Sequence, residues 1–232
     1  MTEHAVAHRD RALICAGRPG SLMESFYRWV TAGLGVHVEP VGGHEAVLAR
    51  FIGPEPDPRV AAGLALGVVD RDAYPDAVLE RQRAHVHVLP YYEVESYLCH
   101  PALLLPTVQR MGHAVSAQAL VDELVASARA TYVPAINAHL SNTPRPTGRA
   151  RLEQMAAQYA GQLAAADATL DSGNVDALLR YFPGRRLADR LSRQLDFMSP
   201  QHLLDCAIKH VQIDEVGPLQ QLRQDLVGRG PT

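Results

Sequence analysis

The sequence predicts an α/β protein: a parallel sheet with helices on both faces over residues 1-100, followed by an α-helical extension over 101-232. Three observations lead there. Between Arg11 and Pro101, four short apolar runs alternate with stretches of helical spacing, the rhythm that builds parallel, doubly wound sheets. After Pro101 the apolar residues recur at helical spacing with much alanine, and no strand candidate of similar quality follows. With 232 residues, 47% hydrophobic and 20% charged, the chain is long and apolar enough to bury a sizeable core.

Each element has its own signal. Ala12-Leu13-Ile14-Cys15 is a brief apolar run ending at Gly17, Pro19 and Gly20, a buried strand entering a turn. Ser21, with Glu24 three positions on, has the form of a capping box opening a helix whose apolar face is Met23, Phe26, Tyr27 and Val30. A second strand, Val36-His37-Val38-Glu39-Pro40-Val41, is closed by Gly42-Gly43 and followed by a short helix through Ala46-Val47-Leu48. The run 64–69 is continuously apolar, as a central parallel strand requires. Pro75 starts another helical stretch, and Val86-His87-Val88-Leu89 reads as a fourth strand. Beyond residue 100 the segments 117–140, 149–170 and 186–195 carry helical spacing.

Composition excludes several classes. Lys+Arg 22 against Asp+Glu 25 gives a net charge of -3, so no global basic field points to nucleic acid. No apolar run approaches the ~18 residues of a membrane span, and Met1-Thr2-Glu3-His4 lacks a signal-peptide pattern. Cys15, Cys99 and Cys206 are far apart and odd in number, which argues against a disulfide framework and for a reducing cytoplasm. Lys209 is the only lysine. A GC-rich genome accounts for that most simply, and any site needing a positive charge must use arginine.

The chemistry gathers where strands end. Asp70 and Asp72 follow the run 64–69; such a pair can bind Mg²⁺ or Mn²⁺ while waters and phosphate complete the octahedron. The plainer reading is a turn cap beside a solvated carboxylate. Glu93 and Glu95 leave the next strand. They share a face if the chain is still extended and diverge if a helix has begun, where acidic side chains suit its N-terminus.

Three segments in order, Leu13-Ile14-Cys15-Ala16-Gly17 with Ser25-Phe26-Tyr27, then Val68-Val69-Asp70-Arg71-Asp72, then Tyr91-Tyr92-Glu93-Val94-Glu95-Ser96-Tyr97-Leu98, resemble the Toprim domain of the OLD-type and related short nucleases. Gly42-Gly43 falls where those proteins carry a turn after the second strand, and Phe182-Pro183-Gly184-Arg185-Arg186-Leu187 resembles their Pro-Gly-Lys turn into a late helix. The resemblance covers 11-100 well and the rest thinly. In size and layout the chain looks like the small Toprim effectors of PARIS-type anti-phage systems. That likeness implies a cytoplasmic, Mg-dependent endonuclease cutting RNA, tRNA foremost, active as a homodimer and held by an ABC-type ATPase subunit. The chain has no G-x-x-x-x-G-K-[ST] segment of its own, so the ATPase would be a separate partner. The resemblance implies Asp70, Asp72, Glu95 and Glu93 on the metal side, with Arg71, Arg185 and Arg186 toward nucleic acid. A departure stands at Ala16, where the family has the catalytic Glu; a methyl group neither moves a proton nor binds metal. An engineered inactivation or a natural pseudoenzyme would each look like this. The family's next acidic residue has Gly20 at its offset, with Glu24 nearby as an alternative.

Other candidates carry two readings. His85 and His87 are a strand-face pair or a metal pair, and His44 is a helix cap or a phosphate contact. Arg180, Arg185, Arg186, Arg190 and Arg193, opposed only by Asp189, form a solvated face or a phosphate surface, with Arg145, Arg149 and Arg151 a second basic loop. Trp29 and the helical methionines read as core. Competing functions are a non-catalytic subunit of an ATPase complex, a DNA nuclease, and a haloacid-dehalogenase-like phosphatase. The last places its Asp-x-Asp on the first strand rather than after 64–69.

Overall fold

The computed structural model describes residues 11–147 and 151–228. Its sheet has four strands in the order β2-β1-β3-β4: β1 Arg11–Cys15, β2 Val36–Pro40, β3 Ala65–Val69 and β4 His87–Val88. All three pairings are parallel, with Leu13 opposite Val38 on one side and Leu66 on the other. The fourth ladder is shorter than the apolar run 86–89: Leu89 still donates its N–H to Val69 O, but the chain then turns away toward Tyr92.

Side chains along a strand alternate between faces, so an inner strand buried on both sides is apolar throughout. On β1, Leu13 and Cys15 join one core, and Ala12 and Ile14 join another. The first face is covered by α1 (Leu22–Val30), through Phe26, Tyr27 and Val30. The second is covered by α2 (His44–Ile52) and α4 (Asp76–Arg83), through Val47, Leu48 and Leu79, while the one-turn α3 (Pro58–Ala61) leads back into β3. The helix after β1 therefore lies on one face and the helix after β3 on the other. A crevice opens between these two strand ends, the switch point at which open parallel sheets bind ligands.

The rest is helical, as the spacing predicts: α5 Val94–Leu98, α6 Pro101–Arg110, α7 Ala117–Ala130, α8 Tyr132–Asn142, α9 Arg151–Ser172, α10 Val175–Tyr181, α11 Gly184–Gln194, α12 Pro200–His210 and α13 Gly217–Gly228. The segment 117–140 is two helices broken at Thr131. Pro134 stands in the first turn of the second, where its missing N–H is tolerated; inside one continuous helix it would cost a hydrogen bond and clash with the preceding turn. The start of the segment 149–170, Arg149 included, lies outside the described residues.

These helices do not form a core of their own. Leu103, Leu120, Leu178, Leu203 and Leu226 share one continuous apolar cluster with Leu13, Phe26 and Val68. The element type changes at residue 100, but the packing runs across it. Trp29 lies half-buried against this cluster, whereas Met155 on α9 is 45% exposed, which corrects its assignment to the core. No helix among the described residues is long and apolar enough to cross a membrane.

Candidate functional site

The turn after β1 is held by its neighbour. Gly17 and Gly42 exchange N–H···O bonds of 2.5 and 2.8 Å, both at φ near +110°, a conformation open to glycine and strained for side chains. This seats Ala16 beside the loop that follows β2, where its methyl packs near Val41 and Tyr74. Glu24 does not lend a carboxylate there. Its oxygens take the Gly20 N–H at 2.6 Å and the Arg28 guanidinium at 2.6 and 2.8 Å, holding it below the usual carboxylate range. Burial, with the charges of Glu24 and Asp70, pushes the Cys15 thiol up to about 12, so it is no nucleophile.

Beyond β3, Asp70 is enclosed (8% exposed) and accepts the Val94 N–H at 3.2 Å. Burial first, then the charges of Asp72, Glu93 and Glu95, raises its pKa well above the ordinary value. Asp72 turns out of the strand at φ +48° and donates its N–H to Tyr92 O at 2.6 Å, tying the β3 loop to the β4 loop. Its Oδ2 lies 3.9 Å from His44 Nδ1; burial raises its pKa and His44 partly offsets that.

Glu93 and Glu95 resolve the choice the sequence left open: a helix has begun. Glu93 is the extended N-cap of α5, and Glu95 sits in its first turn. Both remain at the site because α11 packs across them. Gly184 lies so close to α5 that a Cβ there would come within 2.5 Å of the Ser96 amide nitrogen. That approach lets the Arg185 N–H, at the N-terminus of α11, reach Glu93 Oε1 at 2.6 Å. Burial, then the charge of Glu95, still pushes Glu93 up to about 7. Glu95 is raised mainly by burial, and its Oε2 is buried with no hydrogen-bond partner.

Arg71 is turned inward, which corrects its assignment to a nucleic-acid surface. As the middle residue of Asp-x-Asp it points away from both carboxylates, is 8% exposed, and binds Asp76 Oδ1 at 2.5 Å. Arg185 and Arg186 are exposed at the start of α11, and the charge of Arg185 lowers both Glu93 and Glu95. His85 lies in the turn before β4, exposed, while His87 is buried on the strand, so the two do not form a pair. His44 is not a cap: Gly43 is the N-cap of α2, and both His44 ring nitrogens are buried without a hydrogen bond. Arg145 and Arg151 line a separate cavity between α8 and α9.

Sequence reasoning missed Tyr92, whose carbonyl receives Asp72 and whose N–H donates to Leu179 O at 2.9 Å, and Asp76, which turns Arg71 inward. Neither has a sequence signal, because both act through backbone geometry or a loop-dependent ion pair.

The donor set is all oxygen, and the buried, unpartnered Glu95 Oε2 among mutually repelling carboxylates fits a hard divalent cation. Among the described residues no three His, Cys, Asp or Glu side chains are gathered closely enough to hold one, so side chains must rotate inward for binding. No family model matches the chain, and neither does any curated protein or solved structure compared with it.

Proposed function

We propose that this chain is the effector nuclease of an anti-phage defence system, a metal-dependent phosphodiesterase acting on RNA, tRNA foremost, in a form disabled at Ala16. The observation that carries the reading is the convergence of Asp70, Asp72, Glu93 and Glu95 at the switch-point crevice, facing the pinned Ala16-Gly17 turn. Asp70, Asp72 and Glu95, with Glu93 beside them, would hold Mg²⁺ or Mn²⁺, which supplies charge stabilisation at the scissile phosphate and an activated water. The protein's own groups do the rest. Val94 N–H orients Asp70, Arg185 N–H orients Glu93, and the exposed Arg185 and Arg186 attract the polyanion to an otherwise acidic mouth. Position 16 is where a carboxylate would exchange a proton with water or the leaving oxygen; alanine cannot. An ABC-type ATPase partner and an active homodimer belong to the same reading, on the resemblance alone.

One observation favours a second reading, a non-catalytic subunit of an ATPase complex: the Ala16 methyl sits in apolar surroundings by Val41 and Tyr74, a settled place for a natural alanine.

The discriminating experiment compares the chain with its Ala16→Glu variant on tRNA and on duplex DNA, with Mg²⁺ or Mn²⁺ and with EDTA. Cleavage gained only by Ala16→Glu, abolished by EDTA and by adding Asp70→Ala, is expected. Cleavage that survives Asp70→Ala removes the metal assignment. A folded Ala16→Glu protein that cuts nothing, even with its co-purified ATPase, favours the non-catalytic subunit.

A further inference from the structure

Beside the carboxylates, a cleft of about 590 Å³ opens between the loop after β4, α10 and α13, within the size range of small-ligand sites. Its walls are chemically uneven. Tyr91 and Leu222 give an apolar side; Asp176 and Asp225 bring two carboxylates, and Arg180 one guanidinium. Each carboxylate spends one oxygen on a protein donor. Asp176 Oδ1 takes the Tyr91 hydroxyl at 2.5 Å and lies 3.8 Å from His100 Nε2, and Asp225 Oδ1 takes Gln221 Nε2 at 2.8 Å. The other oxygens have no hydrogen-bond partner among the described residues. Arg180, exposed on α10, likewise makes no hydrogen bond or ion pair among them.

An ionised carboxylate only accepts and a guanidinium only donates, so a ligand filling this cleft must bring both hydroxyl or amine donors and an anion, together with a flat apolar part for Tyr91 and Leu222. A nucleotide has the base and the phosphate; only a ribonucleotide adds a 2′-hydroxyl donor, the group by which a protein separates RNA from DNA. Placement agrees. Tyr91 is two residues before Glu93, and the charge of Arg180 acts on Arg71 and Asp76 in the loop leaving β3, so a phosphate on Arg180 would neighbour the carboxylate crevice.

We infer that this cleft seats one ribonucleotide unit of the substrate, Arg180 on its phosphate and Asp225 on its ribose 2′-hydroxyl. The inference rests on the nuclease reading and adds to it the choice of RNA over DNA.

The test is equilibrium binding in EDTA, where nothing is cut. A labelled eight-nucleotide single-stranded RNA and the DNA of the same sequence are titrated by fluorescence anisotropy, and AMP and dAMP by calorimetry. The protein binds the RNA roughly tenfold more tightly than the DNA, a difference on the order of one hydrogen bond to a charged group. Asp225→Ala removes that preference and leaves DNA affinity alone, and Arg180→Ala weakens both roughly tenfold. Both residues lie at helix surfaces, and a thermal melt verifies that the variants fold. Equal affinity for RNA and DNA, a preference that survives Asp225→Ala, or no binding of any of the four probes overturns the inference. Binding of AMP over dAMP with the same Asp225 dependence, but of neither oligonucleotide, upholds the cleft and removes the nuclease reading instead.

Discussion

Asp70 accepts one backbone N–H and is otherwise enclosed among like charges, and Glu93, raised to about 7, shares the strain. An acid whose pKa is higher folded than unfolded binds protons more tightly in the fold, so between the ordinary Glu value near 4.5 and about 7 stability falls as pH rises. In EDTA the melting temperature should therefore be higher at pH 5.5 than at pH 8, by about 3 °C or more. Asp70→Asn keeps the acceptor for Val94 and removes the charge. It should raise the pH 8 melting temperature and abolish any further gain on adding Mn²⁺, where the parent chain gains. Scanning fluorimetry across pH reads both, and a melting temperature that climbs with pH in EDTA would sink the assignment. At this scale the carboxylates were legible, because Asp-x-Asp and Glu-x-Glu follow apolar runs. The inward turn of Arg71 was not, because it depends on Asp76 reaching back from the next helix.

Between elements, the contact that matters most to the site is the docking of α11 on α5 at Gly184. Gly184→Ala drives a methyl into the Ser96 backbone, which cannot move aside as a flexible side-chain tip would. Overpacking of this kind costs about 1–3 kcal/mol, and here it also withdraws the Arg185 N–H from Glu93. Urea denaturation should show a loss of that size; a loss below about 0.5 kcal/mol, typical of a surface change, would mean that α11 is not seated as described. The elements themselves were readable in so far as their signals are local. The first three strands, the helix capped by Ser21 and the helical character beyond residue 100 all follow from period and caps. The shortness of β4 and the break at Thr131 depend on where neighbouring helices pull the chain. The Pro183-Gly184 turn drew notice for the arginines after it, whereas its glycine serves the close approach to Ser96.

Across the molecule, the face of the sheet lined by Leu13, Cys15 and Val68 is covered partly by α1 and otherwise by helices from the second half of the chain. A fragment of residues 1-100 should therefore expose that face, bind a hydrophobic dye and lack a cooperative melt, although the change in sequence character at 100 invites a cut there. A monomeric fragment that melts cooperatively would show that the division is physical. The division was legible as a change of period, and the continuity was not, since which helix covers which face is settled by tertiary packing. The joining of Leu13 to Leu226 in one core also sets a timetable. At roughly 5–20 residues per second, a ribosome takes on the order of 10–40 s between them. The inner strand made first thus waits for the helix made last, an interval in which a chaperone, and not the fold, must keep that surface from its neighbours.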